Sequence, residues 1–476
     1  MATPVLLLEF NELSPSLMAN FMARGLLPNF KRLHGESLVW TTDAGEAQEN
    51  LEPWIQWVTV HTGLPFADHG VFLLGDGPKC ARPRLWDLLS AAGRRNWICG
   101  SMNTAYRPGF RGRLLPDPWT VGAKPYPEGE FDPFLRFVTV NVQEHTNQTV
   151  PLTKADYFAF LRWMAGHGLS ASTLSYITRQ LATEKATGKF HWRRAIVLDR
   201  LLWDVFRHYF RKDRPDFATF FLNSTAHFQH LHWRNMDPEP FSVKPSSAEQ
   251  AEFQDAVLYG YQQMDRVVGR ALALAGDTHT IVFSSALGQQ PYLKAEEHGG
   301  KVFYRPKKFR DFTTWAGLTM SHEIQPVMSE EFHLIFGSED DAVAAERQLR
   351  TVTIDGAPAL RVRRTGSDIM TGCGIFQKVS GDPTLAAEGV DSLPFLSLFY
   401  LAEGVKSGMH HPDGIFWIRR HDRRHRVHED KVPLVAVAPT LLALQGLESP
   451  DEMPGHVLPG AVDAPAARPS AAAATR

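Results

Sequence analysis

Gly408-Met409-His410-His411-Pro412-Asp413-Gly414-Ile415-Phe416, followed by Val437-Ala438-Pro439-Thr440-Leu441-Leu442, sets the fold expected of this chain. A histidine stands just before a Pro-Asp-Gly turn that feeds an apolar strand. The turn residues fix the backbone and the strand anchors it, an arrangement suited to a metal ligand at a sheet edge. Downstream, an apolar helix around Pro439–Leu442 leads to Gly446-Leu447 and then to Met453-Pro454-Gly455-His456-Val457.

Working outward, Val5–Phe10 is an unbroken apolar run apart from Glu9, the pattern of a buried parallel strand. Ser14-Pro15 then opens a helix, with Ser14 as N-cap and Pro15 at the first helical position. Leu17, Phe21 and Met22 are spaced to form its apolar face. Leu85–Arg94 reads as a further amphipathic helix ending at Gly93, with a strand over Asn96–Gly100 after it. Phe217–Leu222 and Thr280–Ser284 are two more buried strands, each preceded by a helix. Repeated helix–strand alternation predicts an α/β fold, a mostly parallel central sheet with helices on both faces, whose ligands bind at the carboxyl ends of the strands.

The alternation divides the chain. Residues 1–122, 200–290 and 401–458 carry the core pattern. Residues 123–199 are aromatic-rich and helical, and 291–400 mix basic, aromatic and short alternating segments; both read as insertions capping the active-site edge. From 459 to 476 an Ala/Pro-rich tail is expected to be disordered. The chain has 476 residues, 43% of them hydrophobic, enough for a large core, and a net charge of −2. That charge favours neither nucleic acid nor an anionic membrane as partner. Three cysteines with no CxxC pair argue against a disulfide framework or a Cys-zinc site. The start of the chain lacks a basic region and its apolar run is too short for a signal peptide or span, so a cytoplasmic setting is expected. Oligomeric state is not legible.

The run quoted first resembles the C-terminal end of the type I phosphodiesterase and nucleotide pyrophosphatase branch of the alkaline phosphatase superfamily. Gly25-Leu26-Leu27-Pro28-Asn29-Phe30, Thr62-Gly63-Leu64-Pro65 with His69-Gly70-Val71, and Trp233-Arg234-Asn235-Met236-Asp237-Pro238 match its framing motifs. The resemblance implies the superfamily's α/β core and a metal-dependent hydrolase of phosphate or sulfate esters. It also shows departures. The metal-binding Asp of the opening strand falls on Asn11, flanked by Glu9 and Glu12. The nucleophilic Thr or Ser falls on Leu51-Glu52-Pro53, where no hydroxyl is available. The Asp-x-x-x-His metal pair becomes Ala226 and His230, with Asn223 and His227 beside them, and the Asp-His pair after the fourth strand becomes Ser285 and Ala286. His410 is retained, with His411 next to it.

The family's two-metal site needs six or seven ligands around ions roughly 3.5–4 Å apart, and too few remain here. The expected site therefore holds one divalent metal, zinc or manganese, with ligands drawn from His230, His410, Asn11, Glu9 and Glu12. Glu52 and His227 are the candidate catalytic groups, and Trp54 and His411 the candidate substrate contacts. Alternatively, Asn11 caps a turn with Glu9 and Glu12 solvated, and Glu52 is an N-cap-region carboxylate at a helix start. Lys301, Arg305, Lys307 and Lys308 either line an entrance for a small anionic substrate or form a solvated surface. Two functions stay open: a hydrolase or group-transfer enzyme with a remodelled site lacking the Thr/Ser nucleophile, or a catalytically degenerate relative serving as a binding or partner protein.

Overall fold

A computed structural model describes residues 3–120, 122–142, 152–294, 296–326, 331–403 and 405–463. Its centre is a nine-stranded sheet. From one edge the strands run Arg426–Val427, Leu38–Asp43, Asp413–Arg419, Thr280–Ser285, Val5–Phe10, Phe217–Leu222, Asn96–Cys99 and Gly112–Leu115, with Val432–Pro433 also on Leu38–Asp43. Val5–Phe10 pairs in parallel with both neighbours. Asp413–Arg419 alone runs the other way, antiparallel to the strands on either side. The expected α/β fold with a mostly parallel sheet is what the structure shows, with strand boundaries within a residue of those read from the apolar runs.

Alternation along the first strand explains why the sheet is covered on both faces. Leu6, Leu8 and Phe10 enter one buried cluster with the helices Ala195–Asp213 and Ala256–Ala275. Val5 and Leu7 enter the opposite one with Pro53–Thr62, Leu85–Ala91 and Val437–Leu444. Each such fully buried Leu or Phe stabilises the fold by about 1.5–3 kcal/mol. Pro15–Ala23 forms as expected with Ser14 at the N-cap. The Ser14 hydroxyl, however, bonds Ser16 Oγ instead of capping the helix, and the most buried residues of that helix are Met18 and Phe21.

Between Gly112–Leu115 and Phe217–Leu222 lie the helices Asp132–Val142, Lys154–Gly166 and Ala171–Thr187. Residues 302–399 bury a third cluster built on a four-stranded antiparallel sheet and the helix Glu339–Arg350. Near the C-terminus, Arg420 Nη1 donates to Gly460 O and Ala461 O, and Ala461 is fully buried. The chain is thus packed just past 459, contrary to a tail beginning there; residues 464–476 lie outside the described residues. All three cysteines are free. Among the described residues no helix is long and apolar enough to cross a membrane.

The topology places the site. Parallel strands deliver Glu12 and Asn223 just past their carboxyl ends. Asp413–Arg419, being reversed, starts at that same edge, so His410 just before it arrives there too.

Candidate functional site

Glu12 is the centre of the site, and its backbone is held in an unusual conformation. Its φ is +58°, a left-handed value that costs a residue with a side chain about 1–3 kcal/mol. Three elements hold the turn. Gln229 Nε2 donates to Glu12 O at 2.8 Å. Tyr261 Oη donates to Gln229 Oε1 at 2.9 Å and accepts from Ser14 N at 2.8 Å. Leu13 N donates to Ser285 Oγ at 2.9 Å.

This turn aims a buried carboxylate at two histidines. Glu12 Oε2 lies 2.9 Å from His230 Nε2 and 3.4 Å from His410 Nε2. Gln289 Nε2 donates to the same oxygen at 2.5 Å. Asn11 Nδ2 donates to Glu12 Oε1 at 2.8 Å and to Asn223 Oδ1 at 2.7 Å. The indole of Trp57, which only donates, bonds Asn11 Oδ1 at 2.7 Å and so fixes the amide with its NH₂ toward Glu12. Burial works to raise the Glu12 pKa, but His410 and His230 together outweigh it and hold the carboxyl well below its usual range. Burial likewise opposes a charge on His410, yet Glu12 and Glu52 raise it above its ordinary value.

The outer ring nitrogens have acceptors of their own. His230 Nδ1 lies 3.1 Å from Gly408 O, and a carbonyl only accepts, so this nitrogen carries the proton. His410 Nδ1 faces Glu52 Oε2 at 3.6 Å. Both imidazoles therefore present Nε2 inward and Nδ1 to an oxygen behind them, the usual outer-shell support of metal-binding histidines. The ligand atoms of Glu12, His230 and His410 all lie within 4.8 Å of one another. Bonds of 2.0–2.1 Å to one ion place tetrahedral ligand atoms roughly 3.3 Å apart, close to the Glu12–His410 separation. One divalent ion fits this donor set. Among the described residues no comparable group serves a second: Ala226 and Ala286 are buried and without donor atoms, and Ser285 Oγ is taken by Leu13 N and Leu287 O.

The remaining expected residues separate. Glu9 does not reach the site. Both its oxygens are used deeper along the strand, by His61 Nε2 at 2.7 Å and Ser101 Oγ at 2.5 Å, all fully buried. Asn11 sits in the site but turns its NH₂ inward, so it orients Glu12 and offers no oxygen. Glu52 stands at the N-cap of Pro53–Thr62, its side chain making no capping hydrogen bond and lying beside His410. Burial raises its pKa, against the opposing charges of His410 and Lys406. His227 is exposed and outside the group that could hold a metal. Trp54 donates to Phe72 O at 2.9 Å and packs on the second cluster. His411 points the other way from His410 along their strand, its Nδ1 accepting from Asp413 N at 3.1 Å. Of the basic residues 301–308, Arg305 is buried beneath Phe309. Gln289, Gln229 and Tyr261 were not singled out from sequence. Gln289 reaches Glu12 because Gly288–Pro291 pairs with Gly408–His411, setting Gln289 opposite His410.

No family model matches the chain, and no curated protein matches it in sequence. Among solved structures it is similar to phosphonoacetate hydrolase from Sinorhizobium meliloti 1021 in complex with phosphonoformate, at 13% identity over 93% of this chain and 95% of that one, TM-score 0.43. It is similar to the wild-type alkaline phosphatase PafA at 11% identity over 96% and 99%, TM-score 0.49. It is also similar to murine ectonucleotide pyrophosphatase/phosphodiesterase 5 at 11% identity over 93% and 95%, TM-score 0.41. All three are members of the alkaline phosphatase superfamily. Likeness at this level says nothing of chemistry, which rests on the residues themselves.

Proposed function

We propose that this chain is a single-metal hydrolase or group-transfer enzyme acting on a small anionic ester, a phosphate or sulfate ester or a phosphoanhydride. The observation that carries the proposal is the convergence of Glu12, His230 and His410, with both histidines supported from behind by Gly408 O and Glu52. Two imidazoles and one carboxylate suit zinc or manganese better than magnesium, which prefers an all-oxygen octahedral shell. Such an ion polarises a bound oxygen and acidifies water at neutral pH.

The chain's own residues do the rest. His230 and His410 are held in one tautomer and orientation, and Asn11 and Gln289 fix the plane of the Glu12 carboxylate. Glu52, whose pKa burial raises, lies beside His410 and is placed to hold or release a proton at Oε2. No hydroxyl stands at Leu51-Glu52-Pro53, and those further along the helix are committed. Thr62 Oγ1 donates to Val58 O, and Thr59 Oγ1 lies 3.2 Å from His69 Nε2. His69 Nδ1 accepts from Val71 N, so Nε2 carries the proton and His69 cannot serve Thr59 as a base. The reaction is accordingly read as direct attack by water or an acceptor, with no ester on the protein. A cytoplasmic, reducing setting belongs to the same proposal and is supported by the three free cysteines.

One observation favours the second reading, a binding or partner protein. Gln289 Nε2 already occupies the Glu12 oxygen that faces both histidines. The two readings part on metal analysis of the purified chain: about one equivalent retained, and lost in Glu12→Gln, supports the enzyme, and none retained supports the binding protein.

A further inference from the structure

We propose that Lys406 is the anion-recognition residue of this site, its ammonium taking a non-bridging oxygen of a tetrahedral oxyanion, phosphoryl or sulfuryl, presented to the Glu12, His230 and His410 group. The inference rests on the single-metal reading above and deepens it by naming what reads the substrate's charge.

Lys406 belongs to the segment that positions both histidines. Its N–H donates to Lys301 O at 2.7 Å. The next residue, Ser407, donates its N–H to His230 O at 3.1 Å and accepts from Tyr292 N at 3.0 Å. The one after that, Gly408, supplies the carbonyl that meets His230 Nδ1. The Lys406 backbone is thus tied by hydrogen bonds to the segments that carry the ligands.

The side chain is held as well. Lys406 Nζ lies 5.3 Å from the centre of the Tyr292 ring and 5.5 Å from that of Phe303. Two aromatic faces order a long, flexible stem while leaving the three N–H donors of the ammonium available. No ion pair among the described residues uses it. Its charge acts on Glu52 and His410 alike, favouring the ionised carboxyl and opposing protonation of the imidazole. An ammonium without an ion-pair partner, on the segment that carries His410 and within electrostatic reach of Glu52 and His410, is an arrangement that an anion completes. With a divalent ion bound, the ion and Lys406 together outweigh Glu12 and Glu52, leaving the site cationic and suited to an anionic substrate. Lys301 differs: its Nζ sits 3.9 Å from the centre of the Phe376 ring and 4.7 Å from that of Phe303.

The test is calorimetric titration of inorganic phosphate into the zinc-loaded full chain, as wild type, Lys406→Met and Lys301→Met, with zinc content measured on each. The account expects zinc retention in all three, phosphate binding about ten- to a hundred-fold weaker in Lys406→Met, and binding within about twofold of wild type in Lys301→Met. Zinc retention in Lys406→Met also shows that its site is folded. Phosphate bound equally by Lys406→Met and wild type, or not bound by zinc-loaded wild type, overturns the inference and leaves the metal reading standing. Wild type without zinc contradicts the metal reading instead. The same titrations on the metal-free proteins then decide Lys406: a loss confined to Lys406→Met supports it, and equal binding or none overturns it.

Discussion

Glu12 Oε2 and His230 Nε2 meet at 2.9 Å, joining the turn after the first strand to the helix that follows the strand beside it. Two neighbouring parallel strands thus deliver the two halves of one site across their carboxyl ends. The turn does so with Glu12 in a left-handed backbone conformation, a strain the surrounding hydrogen bonds must hold.

That support is open to a direct test at Tyr261, far enough from the carboxylate to spare the ligands. Tyr261→Phe removes a fully buried hydroxyl that links Ser14 N to Gln229 Oε1. It should lower unfolding free energy by about 1–3 kcal/mol in urea titration, because both partners are left buried and unpaired. A loss under about 0.5 kcal/mol would show that the Tyr261 link does not hold the turn.

A pH dependence follows from Asp199. Burial pushes this carboxyl up from 3.8 to about 7, against the Ser224 hydroxyl and Arg200, which favour the ionised form. A folded-state pKa above the unfolded one contributes stability that is fully present below the unfolded value and is lost as pH rises through the folded one. Unfolding free energy should fall between about pH 4 and pH 7 by at most about 4 kcal/mol on this account. Asp199→Asn should abolish that part of the slope; an unchanged slope in the variant would remove Asp199 as its cause.

No covalent ester should form on Thr59 or Thr62 when the protein is incubated with an aryl phosphate or aryl sulfate, since both hydroxyls are committed within the fold. Turnover of generic aryl phosphates should be weak or absent. Intact-mass and peptide mass spectrometry checks this, and a phosphorylated or sulfated threonine at either position would restore the family's nucleophile to the mechanism.

Much of this fold was legible because buried parallel strands are continuous apolar runs, and Val5–Phe10 and Phe217–Leu222 read that way directly. His230 and His410 were legible from the motifs that frame them. Glu9 was misplaced because residue type does not reveal depth along a strand: its carboxylate is consumed inside the sheet by His61 and Ser101. Asn11 reads as a ligand in sequence because residue type does not show which end of an amide faces inward; the Trp57 indole decides that. Gln289 left no signal at all, since its reach to Glu12 depends on the pairing of Gly288–Pro291 with Gly408–His411.

The central claim is one metal ion held by Glu12, His230 and His410, and metal stoichiometry by mass spectrometric elemental analysis tests it most directly. Wild type should retain about one equivalent of zinc or manganese. His410→Ala should retain none and lose any activity with it, since removing a ligand is expected to cost more than the roughly 10- to 100-fold of an outer-shell change. His411→Ala, whose ring points away from Glu12, should stay close to wild type. Two equivalents in the wild type, none at all, or full retention in His410→Ala would contradict the account.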